Sequence, residues 1–177
     1  MQFKGTIVIT DPCYLDADMG QDLWEASGYG DDLSVFGCSQ WICKDTIYGD
    51  WSCTTYKGDS EEISKVVDEI ISLETELDEL NDNALGYDAA CEIASKKLHS
   101  LYEVMQEKFP KLGKFCADAG MVCVVYLDEI LKVNPAFKQF AQEHPWCVTI
   151  IPDFDGNIEY EVDDNTAYII IEGKYVF

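Results

Sequence analysis

The chain has no arginine, and its charge is predominantly of one sign. Its 177 residues include 34 Asp and Glu against 12 cationic side chains, all of them lysine, for a net charge of −22. Binding to DNA or RNA regardless of sequence depends on cations that displace counterions from phosphates, so we do not expect direct nucleic-acid binding. Without arginine, the chain also lacks the planar donor that grips a phosphate or carboxylate with two hydrogen bonds.

Several motifs with known chemistry are missing as well. There is no glycine-rich phosphate loop, dinucleotide-binding fingerprint or nucleophile-elbow serine. None of the eight cysteines shows the two-residue spacing of zinc or redox motifs, so we expect no cofactor and mostly buried, reduced thiols. The apolar run at residues 7–9 is far shorter than a signal-peptide core or a membrane span. We therefore expect a cytoplasmic binding protein rather than an enzyme.

Apolar residues are plentiful enough for a folded domain, since the chain is 47% hydrophobic and 12% aromatic. Segments rich in β-branched and aromatic residues near both ends predict strands, and the pair Asp155-Gly156 predicts a hairpin turn between two of them. Residues 127–142 predict one or two short helices before the C-terminal strands, interrupted at Asn134-Pro135. The sequence thus predicts an α+β fold whose core is an antiparallel sheet.

The middle of the chain has the period of two helices. Apolar residues recur at alternating steps of three and four, first from Ile63 onward and then from Tyr87 onward, as in a coiled-coil seam. The spacing predicts an antiparallel helical hairpin over residues 60–83 and 87–109, with Ser60 as the first N-cap.

We expect this helical hairpin, residues 58–112, to be inserted into a β-rich core made of residues 1–57 and 113–177. Val67 and Ile71 lie outside the seam. They could be buried against a second copy of the chain, so a homodimer is one expectation.

The helical hairpin carries an uneven share of the charge. Residues 59–84 hold ten acids and one lysine, whereas residues 87–111 hold four of each. In the first helix an acid follows about every 4 Å along the axis, close to the roughly 3.4 Å between phosphates of one DNA strand. Six acids fall in two adjacent heptad columns and form what we call the acidic stripe: Glu61, Glu62, Asp68, Glu69, Glu76 and Asp82.

Two interpretations of the acidic stripe are open at this point. It can imitate a nucleic-acid strand and occupy the basic groove of a nucleic-acid-binding protein. Alternatively, it is a solvated helix face that is loosely paired with lysines of the neighbouring helix, such as Lys96 and Lys97, and serves solubility. Solubility alone does not need a net charge of −22, which favours keeping the first interpretation.

Aspartates at predicted strand ends or turns suggest a different chemistry. If Asp11, Asp50 and Asp118 converge, they can hold Mg²⁺. The protein would then be a divalent-metal-dependent hydrolase that acts on RNA or a nucleotide. The competing interpretation is ordinary turn chemistry, in which aspartates accept hydrogen bonds from nearby backbone amides.

Oxygen donors also alternate near the C-terminus, at Asp153, Asp155 and Glu159. Their pattern is faintly like a calcium-binding loop, but it lacks the full spacing of one. A hairpin turn explains the segment with fewer assumptions.

Four short motifs together resemble a family of small proteins common in phages and prophages of gut bacteria. They are ITDPCY at residues 9–14, YGDWSC at 48–53, ADAG at 117–120 and DFDG at 153–156. The resemblance covers the N-terminal and C-terminal thirds of the chain. In the family the strands that carry the second and third motifs are joined by a short turn, so the helical hairpin is this chain's departure. The resemblance carries over no catalytic residue.

Some anti-CRISPR proteins directed at the type II effector nuclease are small, acidic and encoded by such mobile elements, and the resemblance implies kinship with them. The expected partner is then a basic nucleic-acid-binding protein of the bacterial host cell, such as a CRISPR effector nuclease. The acidic surface would occupy the groove in which that protein holds nucleic acid.

Overall fold

The described strands and helices follow one another in runs rather than in strict alternation, which is typical of an α+β protein. A computed structural model describes residues 1–15, 41–43, 51–80, 85–117, 122–162 and 166–175. Its strands are β1 Gln2–Thr10, β2 Trp41–Cys43, β3 Trp51–Lys57, β4 Lys111–Ala117, β5 Val122–Tyr126, β6 Val148–Val162 and β7 Thr166–Lys174. Its α-helices are α1 Ser60–Asp78, α2 Tyr87–Lys108, α3 Leu127–Val133 and α4 Phe137–Glu143, and a short 3-10 helix spans Pro12–Tyr14.

All of these strands belong to one sheet, in the order β2-β5-β1-β6-β7-β3-β4. Each neighbouring pair is antiparallel except β3 and β7, which run parallel. Because β3 and β7 are far apart in sequence, no short turn forces them to run in opposite directions. The predicted α+β fold with a mostly antiparallel sheet is confirmed.

Strand β6 changes partner along its length, and this bends the sheet. Its first part pairs with β1, from Val148 to Asn157, while its last part pairs with β7. The edge strand β4 approaches the first part of β6 so closely that a Cβ on Gly113 would overlap the hydroxyl of Thr149. The sheet therefore curls around the main core, and Gly113 is needed where the two strands meet.

The hairpin turn predicted at Asp155-Gly156 is wrong. Both residues lie inside the continuous strand β6, where Asp155 pairs with Lys4 on one side and Lys174 on the other. A Cβ on Gly156 would overlap the backbone carbonyl of Glu172 in β7. Gly156 therefore allows the backbones of β6 and β7 to approach closely. Glycine commonly has this role as well as forming turns, and the sequence alone does not distinguish the two.

The two long helices form the expected hairpin between β3 and β4, with small differences at their ends. The N-cap of α1 is Asp59 rather than Ser60, because the Asp59 carboxylate accepts a hydrogen bond of 2.9 Å from the backbone N–H of Glu62. Helix α1 ends at Asp78, earlier than the seam predicted. Helix α2 follows Gly86, whose φ of 91° is the left-handed conformation that glycine tolerates best.

The helical hairpin packs on one face of the sheet at its base. Buried side chains of α1, of α2 and of its C-cap residue Phe109 form a cluster with three residues of β3 and β7: Ile63, Val67, Ile70, Met105 and Phe109 with Tyr56, Tyr168 and Ile170. The expectation that Val67 is free for a second copy is wrong, since its side chain is fully buried in this cluster. The division into a core and an inserted domain stays a prediction.

The main core lies on the opposite face of the sheet. Successive residues of β7 alternate between the two clusters, with Ile169 and Ile171 in the main core and Tyr168 and Ile170 under the helical hairpin. Helices α3 and α4 cover the main core, and they are separated at Asn134-Pro135 as predicted. Within the described ranges, no helix is long and apolar enough to cross a membrane.

Candidate functional site: the acidic face of the helical hairpin

The acidic stripe lies along an exposed side of α1. Its described members are all exposed, namely Glu61, Glu62, Asp68, Glu69 and Glu76, whereas Asp82 lies outside the described residues. Helix α1 has 19 residues, of which seven are acids. At about 1.5 Å of rise per residue, this is still one acid about every 4 Å. The linear charge density predicted from the sequence therefore holds along the shorter helix.

Two members of the stripe are paired with lysines. Glu61 accepts a hydrogen bond of 2.7 Å from Lys65 one turn later, and Glu69 pairs with Lys97 of α2 at 2.6 Å. The bond from Lys65 to the Glu61 carboxylate raises the pKa of Lys65 above its ordinary value of 10.5. Exposed ion pairs of this kind contribute little to stability, so a cation from a partner can replace the lysine at little cost.

The lysines of α2 therefore account for only part of the stripe. Lys97 reaches across to α1 as the solubility interpretation expects, but Lys96 pairs with Glu92 of its own helix at 2.6 Å. Within the described residues, Glu62, Asp68 and Glu76 make no ion pair. These carboxylates remain available to an external cation.

The position of each stripe residue along α1 shows whether its negative charge stabilises the helix. Glu61 and Glu62 lie in the first turn of α1, where negative charge stabilises the positive end of the helix dipole. Asp68 and Glu76 lie beyond that turn, and Asp68 belongs to a residue type with lower helix propensity than Glu, Lys or Gln. Their charge therefore contributes little to the helix itself.

The base of the helical hairpin holds the stripe in a fixed orientation relative to the sheet. Ile63 and Ile70 are fully buried on the opposite side of α1 from the stripe. The hydroxyl of Tyr102 on α2 also donates a hydrogen bond of 2.7 Å to the Glu74 carboxylate on α1. A rigidly presented row of carboxylates loses less entropy on binding than a flexible acidic tail would.

The hydrolase interpretation depends on residues that are mostly outside the described ranges. Asp50 and Asp118 are among those residues, so their convergence with Asp11 stays a prediction. Asp11 follows β1, is fully buried, and caps the short 3-10 helix by accepting a hydrogen bond of 2.9 Å from the backbone N–H of Cys13. That bond is the turn chemistry weighed as the competing interpretation.

The candidate calcium ligands do not converge. With β6 continuous, Asp155 and Glu159 are four residues apart in an extended strand, or about 13 Å, too far to share one cation. Asp155 instead pairs with Lys4 at 3.1 Å. Asp153 lies at a break in the β1–β6 register, with φ of 49° and its backbone N–H donating to the Thr6 hydroxyl at 3.4 Å. In the described part of the chain, no three His, Cys, Asp or Glu side chains are grouped to hold a metal.

The histidines have surroundings of their own. His99 on α2 lies 3.4 Å from the Glu103 carboxylate, and His144 stacks on the ring of Phe140 with a centroid distance of 4.5 Å. Both contacts lie within a single helix or at its end, and neither identifies a catalytic histidine.

The sequence did not predict a groove between α1 and α2 that is lined by an exposed isoleucine. Ile93 lies off the α2 seam and is 70% exposed, and it lines a groove between α1 and α2 near the far end of the hairpin. An isoleucine at a non-seam position of an otherwise polar helix face was the signal that could have found it.

Comparison with known proteins adds no relatives: no protein-family model, curated protein or solved structure matches the chain. The molecule is therefore defined by its own architecture. It is an α+β protein with a curved mixed sheet and an exposed acidic helix that is anchored on that sheet.

Proposed function

We propose that this protein is a non-enzymatic inhibitor that binds, through the acidic stripe, the basic groove in which another protein holds nucleic acid. The resemblance to phage and prophage proteins makes a defence protein of the bacterial host the proposed partner, acting in the cytoplasm. A type II CRISPR effector nuclease is the specific candidate, because its nucleic acid lies in a positively charged channel.

The observation that carries the proposal is the set of exposed carboxylates on α1 that neither the neighbouring lysines nor the helix dipole explains. Asp68 and Glu76 have no ion pair among the described residues and lie away from the first turn. They stand on a helix whose other side is buried against the sheet. Such a row of charges supports long-range attraction to a cationic surface and raises the association rate.

The energetics of the proposed complex differ from those of an apolar interface. Each exposed carboxylate contributes little alone, about 0–1 kcal/mol, so affinity requires several contacts at once. A groove that has evolved for phosphates presents several lysines and arginines in a row, and these match a row of acids. The complex should therefore weaken steeply as salt rises, because dissolved ions screen the attraction between opposite charges. The Debye length is about 8 Å at physiological ionic strength and shortens further as salt is added.

A salt titration with charge variants tests the proposal. We would measure binding to a purified type II CRISPR effector nuclease at increasing salt for the wild type and for the triple variant Asp68→Asn, Glu69→Gln, Glu76→Gln. The matched control removes three exposed charges of the same types from the β-rich part of the chain: Asp128→Asn, Glu143→Gln and Glu159→Gln.

The stripe variant should bind at least about tenfold more weakly than the control at low salt, which corresponds to about 1.4 kcal/mol. It should also show a shallower salt dependence. Equal affinities for the two variants would mean that net charge, and not the stripe, governs binding. No complex with the nuclease, or a complex that is insensitive to salt, would contradict the proposal.

A further inference from the structure

The far end of the helical hairpin has a groove between its two helices. We call residues 73–80 and 85–97 the hairpin tip. The groove has a volume of about 400 Å³ and is lined by side chains of α1, of Leu80 just after it and of α2: Leu73, Glu76, Leu80, Ala90, Ile93, Ala94 and Lys97. This volume is in the range of pockets that hold a compact ligand or a few apolar side chains.

The hairpin tip also carries the two most exposed large apolar side chains of the described chain. Leu85 in the turn is fully exposed, and Ile93 is 70% exposed. Single exposed apolar residues are normal on protein surfaces. Here, however, a β-branched residue with only moderate helix propensity stands beside an open groove. Neither helix formation nor packing within the described chain explains Ile93.

Charge around the groove limits what can occupy it. Residues 73–80 and 85–97 contain six acids and two lysines. Both lysines are already paired, Lys96 with Glu92 and Lys97 with Glu69. Of the residues that line the groove, Glu76 and Lys97 are charged, and the Glu76 carboxylate makes no ion pair within the described residues. A second copy would bring a second tip of net negative charge against the first, which is unfavourable.

We propose that the groove at the hairpin tip receives the apolar face of a basic amphipathic helix from the partner protein. The proposal rests on the proposed function and adds a hydrophobic anchor to it. A third helix laid between α1 and α2 would place apolar side chains at three- and four-residue spacing against Leu73, Leu80 and Ile93. Lysines or arginines flanking that apolar face would meet Glu76 and the net negative charge of the hairpin tip.

The division of roles follows from the geometry. The acidic stripe on α1 gives attraction at a distance and depends on salt, whereas the groove gives a short-range contact that depends on shape. Interfaces commonly concentrate their affinity in a few apolar anchors surrounded by polar contacts. Glu76 belongs to both the stripe and the groove lining, so the two surfaces are continuous.

Two synthetic peptides and the full-length protein test this inference. The first peptide is an amphipathic helix with leucines along one face and lysines elsewhere, and the second replaces every leucine with asparagine. Binding is measured for the wild type, for Ala90→Leu, which fills the groove, and for Ala89→Leu, the same change at an exposed neighbouring position. Circular dichroism checks that each variant is folded.

The leucine peptide should bind the wild type and Ala89→Leu equally well and Ala90→Leu at least about tenfold more weakly. The asparagine peptide should bind all three weakly and alike. If Ala90→Leu does not fold, Ile93→Lys at an exposed site gives the same test, with Ser100→Lys on α2 as its control.

The possible outcomes separate this inference from the proposed function. If the leucine peptide binds wild type and Ala90→Leu equally, or does not bind at all, the groove proposal is overturned, and the nuclease titration decides the stripe independently. If the protein forms a dimer in light scattering that Ala90→Leu abolishes, the occupant is a second copy, which also overturns it. Loss of peptide binding in Ala90→Leu with no salt dependence of wild-type binding would support an apolar groove and overturn the part of the proposal that requires a basic occupant.

Discussion

A pair of identical substitutions compares the base and the tip of the helical hairpin. Ile70 on α1 is fully buried in the cluster between hairpin and sheet, whereas Ile93 on α2 is 70% exposed. Replacing each isoleucine with alanine removes the same atoms from a helix interior. The intrinsic gain in helix propensity is therefore similar at the two positions and cancels in the comparison. What remains is the difference in burial.

The expected magnitudes are well separated. Ile70→Ala leaves a cavity beneath α1 and should lower the free energy of unfolding by about 2–5 kcal/mol, the range measured for buried isoleucine. Ile93→Ala should change it by no more than about 0.5 kcal/mol, as for other exposed sites. In a chain of this size, 1 kcal/mol shifts the melting temperature by about 2–4 °C. Ile70→Ala should therefore melt several degrees below wild type, whereas Ile93→Ala should melt at nearly the wild-type temperature.

Urea denaturation followed by circular dichroism measures both values under identical conditions. A loss below about 1 kcal/mol for Ile70→Ala would refute the anchoring of the hairpin on the sheet. An equally large loss for Ile93→Ala would show that the tip is already covered within the chain or by a second copy. In that case neither the groove nor Ile93 is available to a partner.

Three further predictions concern local features of the fold. Asp59→Ala should destabilise the protein by about 1 kcal/mol because α1 loses its N-cap, and Ser60→Ala should cost clearly less; equal losses would contradict the assignment of Asp59. Burial raises the pKa of Tyr56 above its ordinary value of 10.0, so its stabilising contribution is present below that pH and lost as pH rises through the raised pKa. Tyr56→Phe should accordingly reduce alkaline destabilisation in a pH series of urea melts, and an unchanged profile would refute this. Gly156→Ala should cost about 1–3 kcal/mol because its Cβ overlaps the Glu172 carbonyl; a neutral effect would mean that the β6–β7 backbones are not in close contact.

The helices were the most predictable part of the chain, because their determinants are local. Steps of three and four residues between apolar positions located α1 and α2, although α1 ends at Asp78 and not at residue 83, and Asn134-Pro135 located the break between α3 and α4. The error at the start of α1 was one residue, since Asp59 and Ser60 are both good caps and only the hydrogen-bond geometry chooses between them.

Strand pairing was less predictable, because it depends on contacts between distant segments. Asp155-Gly156 has the local signature of a hairpin, yet it lies in a long strand flanked by β1 and β7 on either side. The parallel pairing of β3 with β7 leaves no local signal in either strand. Likewise, the heptad seam treated Val67 as an outer residue, because the seam describes contact between two helices and not contact with a sheet.

The candidate site was predictable in part. The sequence indicated the acidic stripe and its charge density, but not which carboxylates pair with Lys65 and Lys97, since those pairs depend on side-chain placement. The groove near Ile93 required the relative placement of two helices, which the seam alone does not give.

The central claim is that the acidic face of α1 takes the place of nucleic acid in a partner's groove, and a displacement measurement tests it most directly. Labelled nucleic acid is first bound to the purified type II CRISPR effector nuclease, and the protein is then added at increasing concentration. Wild type and the Asp128, Glu143 and Glu159 control should displace the label with similar potency, and the Asp68, Glu69 and Glu76 variant should be at least about tenfold less potent. Binding of the protein to the nuclease without displacement, or equal displacement by both variants, would contradict the claim.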